Sequence, residues 1–357
     1  MEELQEYLKT YTTHTCKNDD SVCLVAPDRK DENNPFRINS CFFQPHKENS
    51  CQVLSLAPQK SVTWERNEMP ELGDEYHVTH LLYGATITLF RYESEWCAAS
   101  RKVLHADSHY WYYAKNLSTH FWRLLGAAFN TTDDCQEMLD QVGAPNLCYS
   151  FVMQTTDMHF PFMNKDRLYF VSAVDTQTGA FFDHTKMPEF STYFDVPAET
   201  TVDTVNTYLE YKGVNVTHVP SGKRYRLLHT RAEYVKSILQ GHNCELNLMH
   251  KNTNLSSVLF HYPSLMKWQG YYLMILDSLV SVISSMYRFN FQTNPAAFFC
   301  RRNVHRVLLE LHRQVVQSGQ GRNGPTFQFV LNFVRDGHIN SLWRQYAKGV
   351  LDACVQM

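Results

Sequence analysis

The chain has 357 residues, 44% of them hydrophobic and 19% charged, with a net charge of −3. This composition excludes an intrinsically disordered chain, and it lacks the strongly basic balance that is typical of nucleic-acid-binding proteins. The ten cysteines include no Cys-x-x-Cys pair, which argues against a zinc knuckle. The polar residues 1–13 do not resemble a signal peptide. We therefore expect a globular cytoplasmic protein with reduced thiols and no bound metal.

The predicted elements start after a polar lead-in over residues 1–35. Strands are predicted at Ile38–Phe43 and Cys51–Leu56, and a hairpin is predicted from His80 to Ala99, where apolar and polar residues alternate after Gly84. The remaining predicted elements up to residue 270 are helices over 111–129, 137–142 and 233–239 and strands over 147–153 and 168–175.

Beyond residue 270 the pattern becomes helical, with helices predicted over 271–286, 303–317, 327–334 and 341–355. The sequence thus predicts an α+β body over residues 36–270 and a C-terminal helical domain over residues 271–357. The run 271–286 is the most apolar in the chain, but it contains Asp277 and four serines. We therefore expect no membrane-spanning segment and no membrane partner.

The hairpin is the most informative stretch, because Gly84 follows Leu81-Leu82-Tyr83 and opens the alternating strand. It resembles the nucleotide-binding hairpin of ATP-dependent RNA ligases of the bacteriophage type, in the covalent nucleotidyltransferase superfamily. In that family a Lys-x-Asp/Glu-Gly motif ends at this glycine, and the lysine attacks ATP. Weaker matches extend the resemblance over roughly residues 37–275. The resemblance implies a nucleotidyltransferase fold with two mostly antiparallel sheets.

The residues that carry the family's chemistry are changed in this chain. By the resemblance, Leu81 stands at the nucleophilic lysine and Tyr83 at the neighbouring carboxylate. Val152 stands at the middle glutamate, Ser256 at the glutamate of a Glu-Gly-x-Val motif, and Leu265 at one lysine of a late Lys-x-Lys motif. A lysyl-adenylate cannot form without the amine. We therefore expect no catalytic residue and no adenylyl transfer by the family mechanism.

Three residues that the resemblance implies for nucleotide binding are retained, and they are Gly84, Arg101 and Lys267. No cofactor is expected, but an active enzyme would use ATP and Mg²⁺. A substitute nucleophile would have to be His80 or, more remotely, Lys60 or Lys102. Strand alternation predicts that His80 points away from the face of Leu81.

A basic helical face is the best candidate for contact with nucleic acid, and it comprises Arg301, Arg302, Arg306 and Arg313, with His305 and His312 beside them. A solvated face or a protein interface are the alternatives. Two weaker groups are a metal site at His105, Asp107 and His109 and a base-stacking surface at Trp111–Tyr113. The stretch Ser221–Arg224 is interpreted as a basic turn.

The sequence therefore favours a catalytically degenerate RNA-ligase-like protein, a pseudoenzyme, that binds RNA or a protein partner. Such divergence is typical of a viral source. Two alternatives stay open, an active ATP-dependent RNA ligase with a non-standard nucleophile and a structural or virion assembly component. The sequence indicates no oligomeric state.

Overall fold

The computed structural model describes residues 14–16, 19–25, 41–45, 51–58, 61–69, 71–101, 103–104, 116–131, 135–158, 160–239, 255–293, 302–319 and 324–335. The chain divides into two compact units, Met1–Val235 and Lys236–Met357. The described residues form thirteen strands: β1 (His14–Cys16), β2 (Asp19–Val25), β3 (Cys41–Pro45), β4 (Cys51–Leu56), β5 (Val62–Thr63), β6 (Tyr76–Leu81), β7 (Ala85–Tyr92), β8 (Glu95–Ser100), β9 (Leu147–Gln154), β10 (Arg167–Asp175), β11 (Phe181–Asp183), β12 (Gly213–His218) and β13 (Lys223–Leu228).

The described α-helices are α1 (Leu117–Phe129), α2 (Cys135–Val142), α3 (Pro188–Ser191), α4 (Ala232–Leu239), α5 (Leu255–His261), α6 (Met266–Arg288), α7 (Arg302–Gln317) and α8 (Phe327–Arg335). The chain is therefore of the α+β class, as the sequence predicts. The predicted helix over 341–355 lies outside the described residues.

The first sheet, in the order β1-β2-β3-β4, is antiparallel throughout. Two of its strands lie within the predicted lead-in over residues 1–35, which corrects the expectation of a polar lead-in without strands. The reason is that Val22 and Leu24 alternate along β2 and are buried in a core with Phe42 and Leu54.

The second sheet, in the order β11-β10-β9-β7-β8, contains the predicted hairpin as β7 and β8. Its strands β9 and β10 agree with the predicted strands to within one residue. Helix α1 packs on this sheet through Phe121, whose ring meets Phe151 edge to face at 5.5 Å. This helix begins at Leu117, because the Asn116 side chain accepts a hydrogen bond from the backbone N–H of Thr119 and caps it. Residues 111–115 of the predicted helix lie outside the described residues.

The third sheet, in the order β5-β13-β12-β6, adds strands that the sequence does not predict. Strand β12 is central and antiparallel to both β13 and β6, whereas β5 and β13 are parallel. The sheets are therefore mostly antiparallel, as expected, but the described residues form three sheets rather than two. The core of this sheet consists of Val205, Val214, Val216 and Leu227.

Every described element of the second unit is helical. Residues 255–270, which the sequence assigns to the α+β body, form α5, a 3-10 turn and the start of α6, because Val258, Leu259 and Tyr262 are buried at helical spacing. Among the described residues, the helical run Pro263–Thr293 is long and apolar enough to cross a membrane by length and composition alone. About two fifths (39%) of its most apolar window is buried within the protein. The absence of a membrane partner stays a prediction.

A candidate anion-binding face

The corner between β6 and β7 carries the positions that resemble the family's first motif. Gly84 has φ +155°, and a Cβ added there would lie 2.4 Å from Val152 Cγ1 and 2.8 Å from the backbone oxygen of Met153. The glycine is therefore required by the close approach of β9. The structure thus brings two of the predicted positions, Gly84 and Val152, into direct neighbourhood.

The side chains at the two positions of the lysine and the carboxylate, Leu81 and Tyr83, are uncharged. Leu81 ends β6, and Tyr83 is only 9% exposed. The backbone oxygen of Tyr83 accepts a hydrogen bond from Gln154 Nε2 at 2.5 Å. Burial raises the pKa of Tyr83 to about 12, so its phenol stays protonated near neutral pH. Leu81 and Tyr83 themselves therefore offer neither an amine nor a carboxylate for adenylyl transfer.

His80, the substitute nucleophile considered from the sequence, lies on the opposite side of β6 from Leu81. Its ring stacks on Tyr211 with centroids 3.9 Å apart and meets Tyr208 edge to face at 5.5 Å. The residue is 8% exposed, and burial lowers its pKa, against the opposing charge of Glu210. His80 is a packing residue of the apolar side, while Lys60 and Lys102 lie outside the described residues.

The late positions implied by the resemblance lie in the other unit. Ser256 is exposed on α5, Leu265 is fully buried in the 3-10 turn, and Lys267 is exposed on α6. Gly84 and Arg101 belong to the first unit, where Arg101 is partly buried directly after β8. The residues predicted for nucleotide binding are therefore distributed over two units.

Strands β6, β12 and β13 share a face that the sequence does not predict. Two rows of directly paired residues cross it, one formed by His77, Thr217 and Arg224 and the other by Thr79, Asn215 and Arg226. Leu81 lies on the same side of β6 as His77 and Thr79, because side chains alternate along a strand. We call these seven residues the polar face: His77, Thr79, Leu81, Asn215, Thr217, Arg224 and Arg226.

Arg224 is the most unusual residue of the polar face. It is partly buried, and burial lowers the pKa of its guanidinium to about 10. Among the residues that the structure describes, none forms a hydrogen bond or an ion pair with the guanidinium group of Arg224. Arg226 differs, since its Nε donates to Thr63 Oγ1 at 2.9 Å. A desolvated cation without a partner is costly, and an anionic ligand would compensate for that cost.

Asn215 provides a second, independent indication of a ligand. It is 6% exposed, and its Nδ2 donates to Thr217 Oγ1 at 2.9 Å. Its Oδ1 is buried without a hydrogen-bond partner. Because the two amide atoms can be exchanged, either orientation leaves one buried polar atom without a hydrogen-bond partner. Buried polar atoms normally have hydrogen-bond partners. Asn215 and Arg224 therefore both indicate that this face binds a ligand.

The pattern that could have predicted this face lies in residues 212–228, and the sequence analysis did not identify it. Gly213 opens an alternating strand, and the two arginines of Arg224-Tyr225-Arg226 are spaced two apart, so they share a strand face. The interpretation of Ser221–Arg224 as a basic turn is correct only for its first part. The turn ends at Gly222, and Arg224 lies in β13.

The basic helical face predicted from the sequence falls on α7. Arg306 and Arg313 are exposed, and Arg313 donates to Glu310 at 2.7 Å. Arg302 begins the helix, but its side chain lies outside the described residues, as does the whole of Arg301. Contact with nucleic acid through these four arginines stays a prediction.

The neighbours of these arginines are not uniformly basic. His312 is part of the packing between helices, since its ring stacks on Phe291 at 4.2 Å and its Nδ1 lies 2.9 Å from Tyr287 Oη. Leu309 and Val316 are exposed on the same helix. This face is therefore mixed in character.

The weaker sequence candidates cannot be placed. Residues 105–115 lie outside the described residues, and with them His105, Asp107, His109 and Trp111–Tyr113. Within the part of the chain that the structure describes, no group of three or more His, Cys, Asp or Glu residues is arranged to hold a metal ion.

Comparisons with known proteins find likeness only among solved structures. No protein-family profile matches the chain. No curated protein matches it either. The chain is similar to Naegleria gruberi RNA ligase with PPi, at 9% identity and a TM-score of 0.32, over 45% of this chain and 51% of the ligase chain. A mutant of the same ligase with AMP and Mn gives 10% identity and a TM-score of 0.34 over the same shares. The chain spans about half the length of the ligase chains that it matches.

Proposed function

We propose that the protein is an RNA-ligase-like pseudoenzyme that binds a phosphate-bearing ligand, a nucleotide or an RNA end, without transferring adenylate. The nucleotidyltransferase fold and a C-terminal helical domain belong to the same proposal. They are supported by the motif matches of the sequence and by the mostly antiparallel sheets.

The observation that carries this proposal is the composition of the polar face. Leu81, which stands at the position of the family's lysine, shares this face with Arg224 and Arg226. Covalent transfer needs an amine that attacks the α-phosphorus, and leucine has no nucleophilic atom. Charge neutralisation needs only cations, and the two guanidinium groups are present. The face therefore supports binding of phosphate and not the covalent step.

The side chains of the polar face also indicate the class of the ligand. A guanidinium group forms paired hydrogen bonds with two phosphate oxygens, so Arg224 suits a phosphate group. The free amide atom of Asn215 and the hydroxyl of Thr217 suit the hydroxyl groups of a ribose. Together they match a ligand that carries both a phosphate and a sugar, as a nucleotide or an RNA end does.

Equilibrium binding tests this function directly. Tripolyphosphate, ATP and a 5′-phosphorylated RNA are titrated separately into the purified protein and into the variant Arg224→Met. We expect the wild-type protein to bind ATP or the phosphorylated RNA more tightly than tripolyphosphate. Removing Arg224 should weaken binding by about tenfold to a hundredfold, since a charge-assisted hydrogen bond contributes roughly 1.5–3 kcal/mol.

Lys223→Met is the matched control, because Lys223 is exposed and its side chain lies on the opposite side of β13. It removes the same charge from the neighbouring position and should leave the affinity within about twofold. Equal affinities for wild-type protein and the Arg224→Met variant would contradict the proposal, as would an equal loss in both variants.

A further inference from the structure

His77 lies between two carboxylates that come from different parts of the first unit. Its Nδ1 is 3.3 Å from Asp183 Oδ2, and its Nε2 is 3.2 Å from Glu199 Oε1. The His77 side chain is 16% exposed, that of Asp183 is 6% exposed, and that of Glu199 is 72% exposed. Because His77 belongs to β6, its ring links this edge strand to Asp183 at the end of β11 and to Glu199 in the segment 195–200.

The protonation state of the ring decides how many of these contacts are hydrogen bonds. Imidazolium has two N–H donors, whereas neutral imidazole has one N–H and one unprotonated nitrogen. An unprotonated nitrogen and a carboxylate oxygen both accept hydrogen bonds, so they cannot bond to each other. Only the charged ring can hold Asp183 and Glu199 together.

We propose that His77 is a proton-dependent clamp, which joins β6 to both Asp183 and Glu199 when protonated and releases Glu199 when neutral. Asp183 is retained in both states, because its carboxylate is fixed by the N–H groups of Thr185 and Lys186 and by the Thr185 hydroxyl. This inference is independent of phosphate binding.

The groups around the ring favour its protonated form and therefore the clamped state. The hydrogen bond with Asp183 and the charges of Asp183 and Glu199 raise the pKa of His77, against the opposing effect of burial. His184, whose ring centroid lies 5.1 Å away, has its pKa lowered by burial and by the charge of His77. The surrounding elements also carry Lys186, on the turn after β11, and Arg224, beyond Thr217 in the polar face.

The direction of the pH effect follows from the raised pKa. The clamp contributes its full stabilisation below the ordinary histidine value of 6.5 and loses it as the pH rises through the higher value of the folded protein. The segment stays attached to β6 by backbone bonds from His80 N to Ala198 O and from Thr200 N to Val78 O, both 3.0 Å long. Release should therefore loosen this edge without detaching it.

The experiment combines an NMR titration of ¹⁵N-labelled histidine with thermal unfolding of the variants His77→Gln and Glu199→Gln. His77 should titrate above 6.5 and show two protonated ring nitrogens in the low-pH state. Glu199 is exposed, so Glu199→Gln should fold normally, and it should lower the pKa of His77. Wild-type protein should unfold about 2–4 °C above His77→Gln at low pH, and this difference should shrink at high pH.

The protection of the Thr200 amide against hydrogen exchange gives a second readout, compared between wild-type protein and His77→Gln at each pH. Wild-type protein should protect this amide several-fold better at low pH and equally at high pH. A His77 pKa at or below 6.5, or a stability difference that does not change with pH, would overturn the inference.

Discussion

The two faces of the sheet β5-β13-β12-β6 are built by alternate residues of the same strands, and they differ sharply. On one face Val78, Val214, Val216 and Leu227 pack with the aromatic rings of Trp64 and Tyr225, which stack at 3.8 Å. The polar face carries charged and amide groups, among them a guanidinium without a described partner. The comparison teaches that the proposed ligand binding is separable from folding here, because each depends on its own set of side chains.

Under the proposed function, this separation allows the fold to form without a nucleophile at Leu81. Leu81 lies on the polar face, so its side chain is not part of the apolar face. Apolar burial is the main favourable contribution to folding, and it is carried by the opposite side of the strands.

The largest effect should come from a change that breaks both faces at once. Gly213 in the central strand β12 has φ +148°, and a Cβ there would lie 2.0 Å from the backbone oxygen of Leu227. Gly213→Ala should lower the free energy of unfolding by about 3 kcal/mol or more, measured by urea denaturation.

Gly270→Ala is the control for this substitution, because a Cβ at that helical position meets nothing within 4 Å. It should stabilise the protein by about 0.5–1 kcal/mol through the higher helix propensity of alanine. If Gly213→Ala left the stability within about 1 kcal/mol of wild type, the close strand approach described here would be wrong.

A change to the apolar face alone should reduce stability and spare binding. Val216 is fully buried, and Val216→Ala should cost about 2 kcal/mol of unfolding free energy through lost burial and the cavity left behind. Its affinity for ATP or phosphorylated RNA, measured at a temperature where the variant is folded, should stay within about twofold of wild type. A large loss of affinity would show that the faces are coupled.

The carboxylate of Asp183, which contacts His77 of the polar face, should stabilise the protein in a pH-dependent way. Burial opposes its ionisation, but hydrogen bonds from His77 and Thr185 outweigh burial and lower its pKa from 3.8 to about 2. The stabilisation is present above the ordinary carboxylate value and is lost as the pH falls towards 2. Asp183→Asn should lower stability by about 2 kcal/mol near neutral pH, and this difference should vanish in acid.

A change to the polar face alone should weaken ligand binding and leave stability unchanged, the opposite of what is expected for Val216→Ala. Arg224→Met removes a desolvated cation that has no ion pair with a described residue, so stability should be unchanged or slightly higher. Together with the weaker ligand binding expected of this variant, the result would separate the two faces completely. Thermal unfolding of Arg224→Met and Val216→Ala in the same buffer compares their stabilities. Strong destabilisation by Arg224→Met would contradict the separation of the two faces.

The smallest effect is expected on α7. Arg306→Ala and Arg313→Ala should each change RNA affinity by less than about twofold, because exposed cations contribute little and Arg313 already pairs with Glu310. Filter binding at several salt concentrations provides the test. A clear decrease in the salt dependence of either variant would instead support the basic helical face predicted from the sequence.

The sequence predicts the strands with simple alternation best. Strands β9 and β10 are rich in aromatic and β-branched residues, and their bounds agree with the structure to within one residue. Strands β6, β12 and β13 are not predicted from the sequence, because histidine, threonine, asparagine and arginine occupy their positions on the polar face. Such residues are typical of exposed segments.

The polar face itself could be predicted only in part. The spacing of Arg224 and Arg226 shows that they share a strand face, but their pairing with Thr217 and Asn215 depends on the register between strands. That register is set by tertiary packing, and so is the burial that perturbs Arg224. The helical structure of residues 255–261 is not predicted from the sequence for the same reason, and the resemblance at Ser256 and Leu265 stays a prediction.

The most direct test of the central claim is to incubate the protein with α-³²P-labelled ATP and Mg²⁺ or Mn²⁺ and to separate the products on a denaturing gel. An active RNA ligase treated in parallel is the positive control. We expect no labelled protein band, because Leu81 provides no nucleophile. A band that is lost on acid treatment would reveal a phosphoramidate and would contradict the account.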